Sequence, residues 1–168
     1  MTEEKTSTSF QEMYDFFLAG ITDDMYMEMT EEDTQEVLQE LLIAAINSFE
    51  FPHWSTPFVL DLDNKVFNVK LTSTEMLIIR LYMIVEWLGY QIANVDLVRQ
   101  KYSSSDFRFT SQASHIKQLL AMKQEYELKA LKTQRLYSRR EYDSEGRVRP
   151  TMYKIMNYDS PDGRNERV

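Results

Sequence analysis

Apolar residues along this chain recur at helical spacing in four stretches and alternate in a fifth. Ser9-x-x-Glu12 has the form of a capping box, and the apolar run behind it stops at Gly20. That predicts a short helix over residues 10–19 with Gly20 as its C′ residue. Thr30-Glu31-Glu32-Asp33 predicts a second start, with acids where the helix dipole favours them. Val37, Leu38, Leu41, Leu42, Ala45, Ile46 and Phe49 then repeat at helical spacing until Pro52 closes the segment. Between these two helices, residues 21–29 read as an acidic connector carrying Met25, Tyr26, Met27 and Met29.

The period changes over residues 58–71. Phe58-Val59-Leu60-Asp61-Leu62, a polar Asp63-Asn64-Lys65 and Val66-Phe67-Asn68-Val69-Lys70-Leu71 predict a β-hairpin, which must pack on something to persist. Thr72-x-x-Glu75 is a second capping box. From Met76 to Ala93 the helix it opens is apolar nearly all round, the mark of a central helix covered by its neighbours. Gly89 within it permits close approach or a bend, and residues 94–102 continue it or turn off as a short helix. A last helix runs from Thr110 or Ser111 to about Arg140, roughly 45 Å at the usual rise. Its apolar stripe (Leu119, Met122, Tyr126, Ala130, Thr133, Tyr137) is narrow, so part of the helix is expected to project or to pack on another chain. Beyond it the periodicity fails: residues 143–146 read as a turn, 147–158 as an extended arm and 160–168 as a frayed end.

The expected architecture is therefore mainly α: a helical bundle with a long C-terminal helix, one β-hairpin and an extended C-terminal arm. Residues 1–140 form the helical domain, with the hairpin near 58–71, and residues 141–168 form the arm, partly extended or flexible. Four Gly and four Pro in 168 residues agree with helices rather than a turn-dense all-β fold.

Charge is sorted by position. Residues 1–50 hold thirteen Asp/Glu and a single basic residue, Lys5, whereas residues 101–168 hold fourteen Lys/Arg and nine acids. The net charge of −8 hides this polarity. An acidic head and a basic tail favour head-to-tail contact between copies, or opposite-sign partners at the two ends. The acids of the second helix (Glu31, Glu32, Glu36, Glu40) and the C-terminal residues Lys129, Lys132, Arg135, Tyr137, Arg139, Arg140, Met152 and Tyr153 are the candidate subunit interface.

No catalytic, metal or cofactor motif is present, and the chain reads as non-enzymatic. The absence of cysteine removes disulfide scaffolds, thiol catalysis and thiolate zinc. His53 and His115 lie on different elements with no nucleophile or base spacing around them. Asp61-Leu62-Asp63-Asn64 has calcium-like acidic alternation, yet Val66 and Thr72 stand where a calcium loop needs Gly and Glu. Lys117, Lys123, Lys129, Lys132, Arg135, Arg139 and Arg140 offer phosphate partners near Tyr126 and Tyr137, the pattern of a nucleic-acid surface. Glu125, Glu127 and Glu141 on the same segment weigh toward a solvated face or subunit interface instead. The N-terminus lacks a secretory pattern. The apolar run from Met76 to Leu88 is short for a bilayer and contains Arg80 and Glu86, so the expectation is a soluble chain.

Three stretches carry a resemblance: residues 70–92 (KLTSTEMLIIRLYMIVEWLGYQI), 105–116 (SDFRFTSQASHI) and 136–140 (LYSRR). Together they resemble small virion proteins of tailed bacteriophages, of the kind that form the neck between portal and tail. The resemblance covers roughly residues 10–140. It implies a small helical bundle acting as a head–tail connector or adaptor, assembled as a ring of about twelve copies, with an arm that docks on neighbouring subunits or the portal. The implied partners are the chain itself, the portal and tail or neck proteins, with DNA near only through the lumen, no membrane and no cofactor. The implied location is the virion, assembled in the bacterial host cytoplasm. Another tail or baseplate component would share these features.

Overall fold

Ser9 caps the first helix, α1 (Phe10–Leu18), as the sequence predicts: its hydroxyl accepts the Glu12 N–H while the Glu12 carboxylate accepts the Ser9 N–H. The computed structural model describes residues 7–21, 30–51, 57–101, 109–142 and 148–149. Across these, α2 spans Glu31–Asn47, strands β1 and β2 span Leu60–Asp61 and Val66–Phe67, and α3 spans Ser73–Lys101. A fourth helix, α4, spans Phe109–Ser138, and strands β3 (Glu141–Tyr142) and β4 (Val148–Arg149) follow it. The mainly α architecture with its hairpin is as the residue pattern predicts.

Gly20 follows the C-cap Ala19 and so stands at C′ as the sequence predicts, although its backbone is not left-handed. What Gly20 supplies is room. A Cβ there would overlap the Arg80 guanidinium, which reaches across from α3 and sits 4.6 Å over the Phe16 ring.

The hairpin pairs Leu60 with Phe67 and Asp61 with Val66. Its turn lacks glycine, so Lys65 takes the left-handed position at φ 52°. Asp61 holds the loop by accepting both the Asn64 backbone N–H (3.0 Å) and its side-chain amide (2.7 Å). Those bonds from Asn64, the side-chain amide first, lower the Asp61 pKa. Residues 8–10 then add a third edge. Thr8 donates its N–H to the Val69 carbonyl, Phe67 donates to Thr8, Phe10 donates to Lys65, and Ser9 bridges Val66 antiparallel. The buried Thr8 hydroxyl accepts the Leu71 N–H at 2.8 Å.

Helix α3 is the axis. Leu81, Tyr82, Met83, Ile84 and Val85 are buried in succession, which a helix achieves only when neighbours cover every face. The neighbours are α1, α2 and α4. The segment Ser73–Asn94 is also long and apolar enough to cross a bilayer by length and composition, longer than the Met76–Leu88 run read from sequence. Residues 94–101 continue α3 without a break.

Helix α4 returns antiparallel to α3: Tyr137 and Arg140 reach Glu75 and Thr74 at one end, and Lys123 lies beside Gly89 further along. Among the residues whose side chains are described, none after Leu88 on α3 and none before Ala130 on α4 is fully buried. Over residues 89–94 of α3 and 114–129 of α4 the described side chains are half-buried or exposed, in keeping with the narrow stripe on α4. Beyond α4, Glu141 pairs with Arg149 and Tyr142 with Val148, so the segment read as turn and arm begins as a short ladder. Residues 150–168 lie outside the described residues.

Candidate functional site

Helix α2 exposes acids because its apolar residues face the other way. Leu38, Leu41, Leu42 and Ala45 are buried against the core, while Glu31, Glu32, Asp33, Glu36 and Glu40 are exposed. Glu32, Glu36 and Glu40 stand four residues apart and form one line. Thr30 caps the helix by accepting the Asp33 N–H at 3.2 Å, so the line begins at a fixed N-terminus.

Helix α4 is the opposite case. From residue 128 to Arg139, the residue just past its end, the exposed residues are Leu128, Lys129, Lys132, Arg135, Leu136 and Arg139, with no acid among them. Lys132, Arg135 and Arg139 lie within a narrow arc opposite the buried Ala130, Gln134 and Tyr137. Leu128 and Leu136 remain 68% and 56% exposed, large apolar side chains set among cations. Lys129 leans over the Tyr126 ring at 5.7 Å. Both charged faces point away from α3, and they belong to different helices.

The remaining candidates divide. Arg140 is half-buried and donates to Thr74 Oγ1 at 3.1 Å, fastening the end of α4 to the start of α3. Tyr137 is buried and donates its hydroxyl to Glu75 at 2.5 Å, which places it in the core rather than on a subunit surface. Met152, Tyr153, His53 and the connector methionines Met25, Met27 and Met29 lie outside the described residues. His115 is exposed on α4. Among the described residues, no group of His, Asp or Glu is placed to hold a metal ion.

Sequence reasoning missed the polar side of the inner α4 face. Met122 is exposed at 45%, whereas Lys123 and Gln134 take inward positions. Gln134 is 1% exposed and accepts the Glu50 N–H at 3.2 Å. Stepping back from Tyr137 at helical spacing passes through 134, 130, 126, 123 and 119, so the period was present but interrupted by polar letters.

A cleft of about 440 Å³ opens between α1 and α2, lined by Gln11, Tyr14, Leu18, Glu31, Thr34, Gln35 and Leu38. The Tyr14 hydroxyl is buried without a hydrogen-bond partner, and burial pushes its pKa up to about 12. A raised tyrosine pKa favours the neutral form in the fold. Stability is thus intact below pH 10 and falls as pH rises from 10 through about 12. Tyr82 is shifted the same way by burial and then by the Glu50 charge. Replacing Tyr14 by Phe is expected to flatten part of this alkaline fall. Urea unfolding of both proteins at pH 9 to 11.5 reads it directly, and identical slopes would sink the assignment. No protein-family model, curated protein or solved structure matches the chain.

Proposed function

We propose that this protein is a non-enzymatic structural subunit of a tailed-bacteriophage particle, a head–tail connector or adaptor that forms a homo-oligomeric ring between portal and tail. The observation that carries the reading is the display of an acidic face on α2 and a basic face on α4, both turned outward from one α3-centred body. A ring repeats one heterologous contact, so each subunit needs two different, complementary surfaces. The resemblance of residues 70–92, 105–116 and 136–140 to neck proteins supports the same assignment. Virion residence, portal and tail partners, and assembly in the host cytoplasm belong to this proposal.

The test is the mass of the purified protein by light scattering at low salt, alone and with a portal protein, followed by electron microscopy. Multimers or ring particles are expected. A monomer under every one of these conditions would overturn the reading. The exposed cations of α4 also favour a second reading, a nucleic-acid-binding module. A salt-dependent gel shift by a chain that stays monomeric would favour that reading instead.

A further inference from the structure

The exposed part of α4 from Leu128 to Arg139 combines three features that a merely solvated face does not need. Its cations are in register, acids are absent among its exposed residues, and two leucines stand largely in solvent. Long Lys and Arg side chains alone would keep such a face soluble. Exposed leucines at 68% and 56% gain only when something covers them. A phosphate backbone offers them nothing. The occupant must be acidic and must bring apolar surface of its own.

The same molecule displays such a surface. On α2, Glu32, Glu36 and Glu40 are followed on the same line by Ile43, which is half-buried, and then by Asn47. Glutamates four residues apart repeat every 6 Å or so, close to the spacing of Lys132, Arg135 and Arg139 along α4. Neither face can pair with its own copy, because like charges would meet. The acidic face of one chain has to meet the basic face of another.

We infer that Lys132, Arg135 and Arg139 of α4, flanked by Leu128 and Leu136, dock on the Glu32–Glu36–Glu40 line of α2 in a second copy of this chain. The inference rests on the self-association proposed above and names its two surfaces. Charge pairs orient the contact and speed encounter, while the leucines supply most of the affinity. Each contact leaves one acidic and one basic face unfilled at the ends, so the series terminates only by closing on itself.

The absence of native cysteine makes the contact directly testable. Chains carrying Glu36→Cys are mixed with chains carrying Arg135→Cys under mild oxidation, with circular dichroism confirming that both fold. The expected product is a disulfide-linked mixed dimer forming faster than either self-linked dimer. In parallel, Arg135→Glu with Arg139→Glu is expected to weaken self-association about tenfold or more. Adding Glu36→Arg and Glu40→Arg to that same chain should restore it, since the swapped charges again complement. Multimers that persist while mixed disulfides fail to form would overturn the named contact and leave self-assembly standing. Monomers at all concentrations would overturn both. Duplex DNA binding by a monomeric wild-type chain, lost in the Arg135→Glu, Arg139→Glu variant, would assign the basic face to nucleic acid and overturn the inference.

Discussion

Replacing Phe67 by alanine is expected to cost about 3–5 kcal/mol, the usual range for a fully buried phenylalanine. Phe67 is completely buried, and its ring meets Phe10 edge-on at 5.3 Å and Phe58 at 5.9 Å. Phe58 continues to Phe49 and Phe51, and Phe49 reaches Tyr137 at 6.2 Å. This chain of rings joins α1, the hairpin, the end of α2 and α4 through one residue of a two-residue strand. The Phe67 N–H is bonded to Thr8, so a collapse of the ring's site would also loosen the edge formed by residues 8–10. Domain stabilities run to about 5–15 kcal/mol, and a loss of this size would leave a large share of molecules unfolded on mild heating. Urea or thermal unfolding reads the change. Val59→Ala, at a position 63% exposed, is the control and should shift stability by about 0.5 kcal/mol at most. A Phe67→Ala loss no larger than the control's would mean that the hairpin is not part of the core.

That dependence also separates what could be read from the letters from what could not. Both capping boxes, Ser9 with Glu12 and Thr72 with Glu75, form as read, because each needs only residues three apart. The α2 stripe and the all-round apolarity of α3 were equally legible, since periodicity is local and the core answers to it. So were the members of the two charged faces. Glu31, Glu32, Glu36 and Glu40 are exposed, as are Lys129, Lys132, Arg135 and Arg139, because no apolar pattern claims their side of the helix.

What the letters did not show has a physical cause, which is distance along the chain. Nothing near Gln134 in sequence marks it as buried; Glu50, 84 positions away, brings it a backbone N–H. Gly20 follows the end of α1 as read, but the space it leaves for the Arg80 guanidinium is set by a different helix. Tyr137 looked like a contact residue for a neighbouring subunit because aromatic residues are common at interfaces. The acceptor that holds it inside lies 62 positions earlier, on another helix. Lys65 lies in the hairpin turn as read, and in this four-residue turn without glycine it takes the left-handed region. The hydrogen bonds from Asn64 to Asp61 make that tolerable.

Glu75 connects these local and distant levels, and removing its partner is the second test expected to have a large effect. Its Oε2 accepts the Thr72 N–H at 2.6 Å as part of the cap, while Oε1 accepts the Tyr137 hydroxyl at 2.5 Å, and both Glu75 and Tyr137 are buried. A buried hydrogen bond to a carboxylate is worth about 1.5–3 kcal/mol, so Tyr137→Phe should destabilise by that amount without opening a cavity. Glu75→Gln keeps the shape and changes the charge. If the two groups act as a unit, the double variant will lose less than the sum of the singles, by about 1 kcal/mol or more. Strictly additive losses would show that the pair is not coupled. The bond also has a consequence for assembly. Together with Arg140 on Thr74 it pins the last turns of α4, which carry Arg135 and Arg139, to the start of α3. In Tyr137→Phe, amide exchange should therefore quicken around residues 134–138 while α2 stays protected. Self-association should weaken with it even though every charged residue is still in place. Unchanged exchange at the end of α4 would detach this buried pair from the surface it is argued to hold.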